Sequence, residues 1–467
     1  MDQPFVPFRI KVVEPVVNIS PAERAACLEK AGYNLFSIPS ESIYVDLLTD
    51  SGTSAMSDAQ WGALVQGDES YAGSRNYYDF EETIRDLFGY KHVIPTHQGR
   101  VAENLLFTTR LSPDSVVPNN IHFDTTRANV EHQGAKALDC VIDEGFDPSI
   151  ELPFKGDMSL DKLGAAYERY GDRIPFVMLT ITNNSGGGQP VSLANIRAVS
   201  AFCADKGLPL IFDACRFAEN AWFIKRREAG YADKSIKEIA REIFALGDGC
   251  TMSAKKDALV NMGGFLCLNN DEWAQDITNL LILIEGFRTY GGLAGRDLAA
   301  VAQGLREVID DDYLTYRIGQ VRRMGEEMES RGVPIIKPVG GHAVYVDAMS
   351  LLPHIPQSRF PAQSLACALY LEGGVRGVEI GSLMFAQTDP GTGETSYPVM
   401  ELVRLAVPRR VYTETHLTYV AEICGRIRER SGCLRGLEIV YEAPVLRHFT
   451  ARLRPVDDGP LIEESPA

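Results

Sequence analysis

The chain has 467 residues, of which 45% are hydrophobic, enough to fill large cores without disulfides or structural metals. Its 63 Asp and Glu residues outnumber its 46 Lys and Arg residues and give a formal charge of -17. Because such a charge repels phosphate backbones and anionic lipid surfaces, we expect no nucleic-acid partner and no membrane partner.

The cysteines and the amino terminus predict a cytoplasmic protein. The nine cysteines are an odd number and include no Cys-x-x-Cys pair, which is typical of buried, reduced thiols. The amino terminus has no basic region followed by an apolar stretch, as a secretory signal would.

In chain order, short β-rich runs alternate with amphipathic helical runs. Helices are predicted between Ser192 and Gly207 and at 236–246. Strands are predicted at 174–182, 208–212, 250–252 and 264–268. This alternation predicts an α/β fold with a mostly parallel sheet covered on both faces, and such sheets bind ligands at the carboxyl ends of their strands.

Two interleaved domains are expected. Residues 56–310 are predicted to form the large domain, and residues 1–55 are predicted to join 311–453 in a smaller α+β domain. The acidic tail 454–467 is predicted to be disordered.

A turn with two adjacent lysines follows the strand at 250–252. Ser253, Lys255 and Lys256 lie there together. Two neighbouring ammonium groups attract a phosphate and lower each other's pKa, which favours the neutral amine needed for a Schiff base. A solvated loop with two ordinary lysines is the alternative, since most lysines are exposed.

An acid follows the neighbouring strand. Asp213 comes directly after the strand at 208–212, and one predicted helix separates it from Lys256. Both side chains should therefore lie at adjacent strand ends of one sheet. Asp213 could hold a protonated pyridine nitrogen or simply cap the next helix. The pair indicates a pyridoxal phosphate enzyme with the aminotransferase-like fold, known as fold type I.

Two glycine-containing turns could also contact a cofactor. Residues 95–100 lie between a predicted strand and a helix that begins at Val101, so N–H groups at the helix start could bind a phosphate. Residues 184–190 contain three consecutive glycines. Plain turns are the alternative for both segments.

Several long motifs resemble the β-eliminating lyases, the family that includes tryptophan- and tyrosine-cleaving enzymes. The resemblance extends from Pro7 to Arg452 and is carried by residues 46–53, 95–100, 253–258, 339–343 and 360–364. It implies pyridoxal 5'-phosphate as cofactor and an amino acid as substrate. It also implies a homotetramer, a dimer of dimers, whose active sites combine residues of two subunits.

The resemblance further implies the residues of the site. Lys256 would bind the cofactor and remove the substrate α-proton, Asp213 would hold the pyridinium, and Arg404 would bind the substrate carboxylate. The other cofactor contacts would be Gln98, Gly99, Arg100, Ser253 and Lys255 at the phosphate, Phe123 on the ring, and Asn184 and Arg216 at the 3-oxygen.

A tyrosine and a cation site complete the implied machinery. Tyr71 would protonate the leaving carbon in the neighbouring subunit's site, although it could instead be an aromatic residue near a helix end at an interface. Glu69 and backbone oxygens near Gly52 and Asn261 would bind a monovalent cation such as potassium.

The identity of the substrate depends on a few positions. Tyrosine-cleaving relatives have an arginine where this chain has Ile380, whereas Asp124 and His448–Phe449 match the tryptophan pattern, in which an acid and a histidine face the indole. We therefore expect elimination of L-tryptophan to indole, pyruvate and ammonia. The alternatives are tyrosine cleavage, another β-lyase acting on S-substituted cysteines or a modified tryptophan, and a non-catalytic descendant.

Three residues depart from the family pattern. Val101 replaces a usual glycine, Cys215 a serine or threonine, and Arg288 a proline. If the Arg288 guanidinium entered the pocket, a substrate with an extra polar or anionic group would be favoured.

Overall fold

The computed structural model of the chain describes residues 6–389 and 391–463. Its α-helices are α1 (Pro21–Lys30), α2 (Asp58–Gln66), α3 (Arg75–Phe88), α4 (Gly99–Arg110), α5 (Asp124–His132), α6 (Leu160–Tyr170), α7 (Leu193–Lys206), α8 (Phe217–Arg227), α9 (Ile236–Phe244), α10 (Asp271–Ile284), α11 (Gly295–Val308), α12 (Asp311–Ser330), α13 (Ala348–Leu351), α14 (Pro361–Gly373), α15 (Ser382–Phe385) and α16 (Glu414–Glu429). None of these helices has the length and apolar character needed to cross a bilayer, within the residues described.

The strands are β1 (Val45–Asp46), β2 (His92–Thr96), β3 (Val116–Asn119), β4 (Lys136–Asp139), β5 (Val177–Thr180), β6 (Leu210–Asp213), β7 (Gly249–Ser253), β8 (Gly264–Leu268), β9 (Ala343–Asp347), β10 (Val375–Arg376), β11 (Val378–Ile380), β12 (Gln387–Thr388), β13 (Thr395–Ser396), β14 (Leu402–Ala406), β15 (Leu437–Tyr441) and β16 (Arg452–Pro455).

A five-stranded sheet in the order β2–β8–β7–β6–β5 forms the centre of the larger core. Strands β5, β6 and β7 are parallel, and β8 runs antiparallel to both of its neighbours. All residues of β5, β6, β7 and β8 are buried, which fits the mainly apolar sequences of β5, β6 and β8. The predicted mostly parallel, fully covered sheet is confirmed.

The parallel pair β3–β4 lies beside β5 and is joined to it by an asparagine. The Asn120 side chain accepts the N–H of Thr180 at 2.9 Å and donates to the Thr180 carbonyl at 3.0 Å. A side-chain amide carries the same donor and acceptor as a peptide unit, so Asn120 substitutes for a residue of a neighbouring strand.

The predicted ends of the helix between β5 and β6 are confirmed. Ser192 caps α7 by accepting the N–H of Asn195 at 3.0 Å, and Gly207 ends the helix with a φ of 65°, a conformation that costs glycine little. The preceding strand is shorter than the predicted 174–182 at both ends. At its start, Pro175 has no N–H to donate to a ladder.

A second core lies outside the central sheet. Buried apolar residues between Leu28 and Leu47 pack with others between Val321 and Leu461, around the antiparallel sheet β11–β14–β9. The large core collects residues from Tyr77 to Leu314. The two cores thus draw on different parts of the chain, with Leu314 of the large core lying past residue 310. The division into a large domain at 56–310 and a small domain built from both ends of the chain stays a prediction.

The carboxy-terminal segment is ordered over most of its length. β16 pairs with β15, Leu461 is buried, and Ile462 forms a bridge with Leu434. The prediction of a disordered tail is therefore wrong for residues 454–463, because Leu461 completes the small-domain core despite the acidic composition around it. Residues 464–467, which that prediction also covered, lie outside the described residues.

Candidate active site

A cavity of about 270 Å³ lies at the carboxyl edge of the central sheet, between the two cores. The segments that follow β2, β5, β6 and β7 line it from one side and small-domain residues from the other. It brings together the predicted residues Gln98, Gly99, Arg100, Phe123, Asp124, Asn184, Asp213, Arg216, Ser253, Lys255, Lys256, Arg404, His448 and Phe449.

One end of the cavity can hold an anion. Helix α4 begins at Gly99, where a Cβ atom would lie 2.6 Å from the Cβ of Ser253, so only glycine fits. The Ser253 hydroxyl is buried and has no hydrogen-bond partner in the described part of the chain. Burial and the charges of Lys256 and Arg100 lower the pKa of Lys255 to about 8. Two cations, a free hydroxyl and a helix start together fit a phosphate.

Lys256 and Asp213 lie on adjacent strand ends, as the sequence predicts. Asp213 is the last residue of β6 and pairs with Thr251 of β7, the strand that Lys256 follows. The buried Asp213 carboxylate accepts the N–H of Cys215 at 3.2 Å, and α8 begins only after Arg216. Asp213 therefore does not cap that helix, and its carboxylate lines the cavity together with Lys256.

A third buried carboxyl group at the site, beside Asp213 and Asp124, was not predicted. Glu103, on α4, lines the cavity and accepts the Thr126 hydroxyl at 2.6 Å. Burial and the charge of Asp213 raise the pKa of Glu103 to about 7. The sequence signal is its position one helical turn after Gly99, on the helix whose start forms the anion site. Thr49 and Ser51, which also line the cavity, carry no comparable signal.

Arg404 reaches the cavity from the small domain. Its guanidinium donates to the Asn184 side-chain oxygen at 3.0 Å and to the Leu48 carbonyl at 3.2 Å, and it lies 5.6 Å from the centre of the Phe123 ring. Its Nε is buried without a partner in the described structure. A planar guanidinium with an unused donor can bind a substrate carboxylate.

Arg216 lines the cavity while forming a buried ion pair. Its Nε and terminal nitrogen donate to the two Asp50 oxygens at 3.0 and 2.7 Å, and Arg409 donates to the same carboxylate at 2.9 Å. Burial alone would raise the pKa of Asp50, but Arg216, His342 and Arg409 hold it well below its ordinary value. The Arg216 guanidinium is thus held in place before any ligand binds.

His448 and Asp124 meet in the cavity wall. His448 Nε2 lies 2.9 Å from Asp124 Oδ2, and both side chains are buried. The contact lacks hydrogen-bond alignment, so neither ring nitrogen has a hydrogen-bond partner among the residues described. Phe449 packs on Phe36 with ring centroids 4.8 Å apart, and Ile380 belongs to the adjoining apolar cluster. This wall combines an acid, a histidine and apolar surface.

The remaining predicted residues lie elsewhere. Tyr71 is 74% exposed and contacts the rings of Phe287 and Tyr290 rather than the cavity. Asn261 donates to the Gly52 carbonyl at 3.0 Å, so two members of the predicted cation site are adjacent. Glu69 instead pairs with Arg296 at 2.9 Å, and no described contact joins it to the other two.

The three departures have separate explanations. Val101 packs against the core beneath α4. Cys215 lines the cavity, and its sulfur accepts the Ser253 N–H at 3.3 Å, a contact that a hydroxyl could also make. Arg288 is exposed and does not line the cavity of its own chain, so it adds no charge there.

Sequence comparisons agree with this geometry. The family profile described as "Beta-eliminating lyase" matches residues 46–423. A tryptophanase of Salinibacter ruber is 60% identical over 455 residues, which are 97% of this chain and 96% of that protein. A tyrosine phenol-lyase of Pasteurella multocida is 51% identical over 453 residues, which are 97% of this chain and 99% of that protein.

Structural comparison identifies the fold. A serine palmitoyltransferase of Sphingomonas wittichii superposes with a TM-score of 0.57 at 14% identity and covers 87% of this chain and 96% of that one. Similarity at this level of identity concerns the fold alone. The predicted α/β fold of the aminotransferase-like pyridoxal phosphate enzymes, fold type I, is confirmed.

Proposed function

The chain belongs to the beta-eliminating lyase family, and on this premise we propose that it cleaves L-tryptophan to indole, pyruvate and ammonia with pyridoxal 5'-phosphate as cofactor. The contact between His448 and Asp124 in an otherwise apolar wall carries the choice of substrate. Tyrosine or another amino acid with a leaving group on Cβ is the alternative substrate.

The residues around the cavity fit this cofactor. The free Ser253 hydroxyl, Gly99 at the start of α4 and the cations Arg100 and Lys255 would bind its phosphate. When bound, the cofactor supplies an electron sink for the electrons of the substrate's broken Cα–H bond.

Three side chains would act on the bound cofactor and substrate: one on the substrate α-proton, one on the proton of the pyridine nitrogen and one on the substrate carboxylate. Lys256 would supply the amine that holds the cofactor, and its Nζ would take the α-proton of the bound substrate. Asp213 would hold the protonated pyridine nitrogen of the cofactor. Arg404 orients the substrate through its carboxylate, using donors such as the unpartnered Nε.

The leaving indole needs a proton at its ring carbon, and we assign that donation to the Tyr71 hydroxyl of a neighbouring subunit. The strong exposure of Tyr71 in a single chain supports this assignment. Within one chain the neighbouring Tyr290 hydroxyl raises the pKa of Tyr71. A cation in the assembled site would have to lower it again for proton transfer near neutral pH.

Discrimination between indole and phenol follows from hydrogen-bond chemistry. An indole offers one N–H donor and no acceptor, which suits a wall where the Asp124 carboxylate and an unpartnered His448 nitrogen are available. A phenol oxygen would need a donor, and Ile380 supplies none.

We also propose a potassium site and a homotetramer. Adjacent Gly52 and Asn261 support the former, with Glu69 of a neighbouring subunit as the third member.

The cytoplasm is the proposed compartment, supported by nine cysteines that form no disulfide within the described residues.

A substrate panel tests the proposed reaction. Purified protein loaded with pyridoxal phosphate should release pyruvate from L-tryptophan much faster than from L-tyrosine, and faster in potassium than in sodium buffer. S-methyl-L-cysteine serves as the control for elimination without an aromatic leaving group. Pyruvate from the cysteine derivative but not from tryptophan would contradict the assigned substrate.

Attachment of the cofactor is tested separately. Borohydride reduction followed by peptide mapping should leave the cofactor on Lys256 and on no other residue, with Lys256→Ala as the unlabelled control. Labelling of another lysine would contradict the assigned role.

A further inference from the structure

Two buried carboxyl groups behind the cavity wall take no part in the proposed elimination. Glu379 lies in β11 and Glu401 directly precedes the neighbouring strand β14; they are 2% and 0% exposed. We propose that Glu379 and Glu401 share one proton and together position residues 381–385 as part of the cavity wall. Only the kinetic arm of the test below rests on the proposed function.

Both carboxyl groups accept hydrogen bonds from the start of α15. Glu379 accepts the Leu383 N–H at 2.9 Å on Oε1 and the Met384 N–H at 3.1 Å on Oε2. Glu401 accepts the N–H of Ser382 at 2.9 Å and its hydroxyl, both on Oε1. The free N–H groups of this short helix are therefore satisfied by two side chains instead of one cap.

The two carboxyl groups converge on Gly381. A Cβ atom at this glycine would meet Glu401 Oε2 and would lie 2.9 Å from Glu379 Oε1. Glu401 Oε2 is buried and has no hydrogen-bond partner among the described residues, whereas the other three oxygens are all engaged. A proton held between Oε2 and Glu379 would satisfy this atom and remove one negative charge.

Two ionised carboxylates at this place would repel each other without water to screen them. Burial is the main cause that raises the pKa of Glu379 well above its ordinary value, and the charge of Glu401 adds to it. Burial also raises the pKa of Glu401. Arg447, from the 447–449 turn, is the charged group that opposes this shift at Glu379. Gln357, which donates to Glu401 at 3.2 Å, is neutral.

The position of α15 is transmitted to the cavity by two routes. Met384 lines the cavity itself. The carbonyls of Ser382 and Leu383 each accept a hydrogen bond from an N–H of the Arg447 guanidinium at 2.8 Å. Arg447 directly precedes His448 and the aromatic wall. Movement of α15 would therefore displace the residues that face the leaving group, while Lys256 and the anion site belong to the other domain.

Infrared spectroscopy tests the shared proton without any substrate. In cofactor-loaded protein at neutral pH, Glu103, with a pKa raised to about 7, also contributes to the C=O absorption of protonated carboxylic acids. Relative to wild type, this absorption should therefore lose one band in both Glu379→Gln and Glu401→Gln. In Glu401→Gln, an amide N–H replaces the unpartnered Oε2 and can donate to Glu379, so the fold should be kept. Asp347→Asn is the matched control. Asp347 belongs to the same sheet and caps α13 with a single carboxylate, so the band should persist in this variant.

Kinetics test the positioning role. In wild type, KM for L-tryptophan should rise by about tenfold as alkaline pH removes the shared proton, with kcat much less affected. Glu401→Gln should abolish this rise, and Asp347→Asn should retain it even if it lowers Tm. KM for S-methyl-L-cysteine, whose leaving group is small, should stay within about twofold in all of these variants.

Two outcomes would overturn the proposal. One is a carboxylic acid band that is unchanged in both glutamine variants. The other is an alkaline rise in KM that Glu401→Gln and Asp347→Asn retain equally, which would reduce the pair to a helix cap. Wild type that turns over S-methyl-L-cysteine but not tryptophan would contradict the proposed function instead, and the infrared band would still decide whether the proton is shared.

Discussion

At the scale of single residues, the site contains several buried polar atoms that have no partner. The Ser253 hydroxyl, Arg404 Nε and both His448 ring nitrogens are buried without hydrogen-bond partners in the described structure. Each such group costs roughly 1–3 kcal/mol, a cost that a bound ligand would remove. All of them belong to residues that line one cavity, at its anion end, its carboxylate-binding arginine and its aromatic wall.

Replacement of His448 by phenylalanine tests the aromatic wall. His448→Phe keeps the ring packing against Phe449 but removes the polar atoms near the indole N–H. We expect kcat/KM for L-tryptophan to fall by the equivalent of roughly 1–3 kcal/mol, the cost of leaving a buried donor such as the indole N–H without its partner. S-methyl-L-cysteine turnover is the control and should change little. An equal loss on both substrates would assign His448 a structural role.

At the scale of elements, side chains from other segments hold the ends of helices. The start of α7 is bound by Asp157, whose two oxygens accept the Ser192 N–H at 2.7 Å and the Ser192 hydroxyl at 3.0 Å. Burial raises the pKa of Asp157 to about 6, and Glu228 contributes in the same direction, although the bonds to Ser192 lower it. This helix follows the segment that carries Asn184 to the cavity, so its anchoring supports the site.

The pH dependence of stability tests this anchor. Because the folded-state pKa of Asp157 is raised from 3.8 to about 6, the folded state binds this proton more tightly than the unfolded state does. Its contribution is present below the ordinary pKa and is lost as pH rises through about 6. The Tm of wild type minus that of Asp157→Asn should therefore decrease across this window and then level off. Asp114→Asn, at an exposed acid, should show no such decrease; a pH-independent difference for Asp157→Asn would contradict the assignment.

At the scale of the whole molecule, the site lies between two cores, and the proposed acid Tyr71 lies outside the cavity of its own chain. Tyr71 is exposed, and so are Trp61, Val65 and Leu283, at 55%, 86% and 81%. Exposed apolar side chains of this size are characteristic of surfaces that other chains cover. They support the proposed oligomer, in which Tyr71 would enter a neighbour's cavity.

Mixed oligomers test whether sites are shared between subunits. Tyr71→Phe and Lys256→Ala should each be nearly inactive alone. After unfolding and refolding together, they should regain up to about a quarter of wild-type activity, because half of the dimers are mixed and each mixed dimer has one intact site. Mixing Lys256→Ala with Asp213→Ala is the control and should restore nothing, since both residues belong to the same chain's cavity. Failure of the first pair to complement would contradict the assignment of Tyr71 to a neighbouring subunit's site.

The sequence alone determined the elements and the chemistry at the strand ends. Apolar runs and the caps Ser192 and Gly207 predicted the sheet and its helices, because hydrophobic periodicity and capping are local properties. The order of Asp213 and Lys256 along an α/β pattern placed both at one sheet edge. Family motifs then named the cofactor ligands, which the structure gathers in one cavity.

Only the tertiary structure decided distances and environments. The approach of Asp124 to His448, the convergence of Glu379 and Glu401 on Gly381, and the raised pKa of Glu103 all join segments that no local pattern connects. Burial also overturned the predicted disorder of 454–463, because composition does not show that Leu461 finds a core to fill. Such contacts and the desolvation that shifts a pKa arise only when distant segments pack together, since both depend on which atoms replace water around each group.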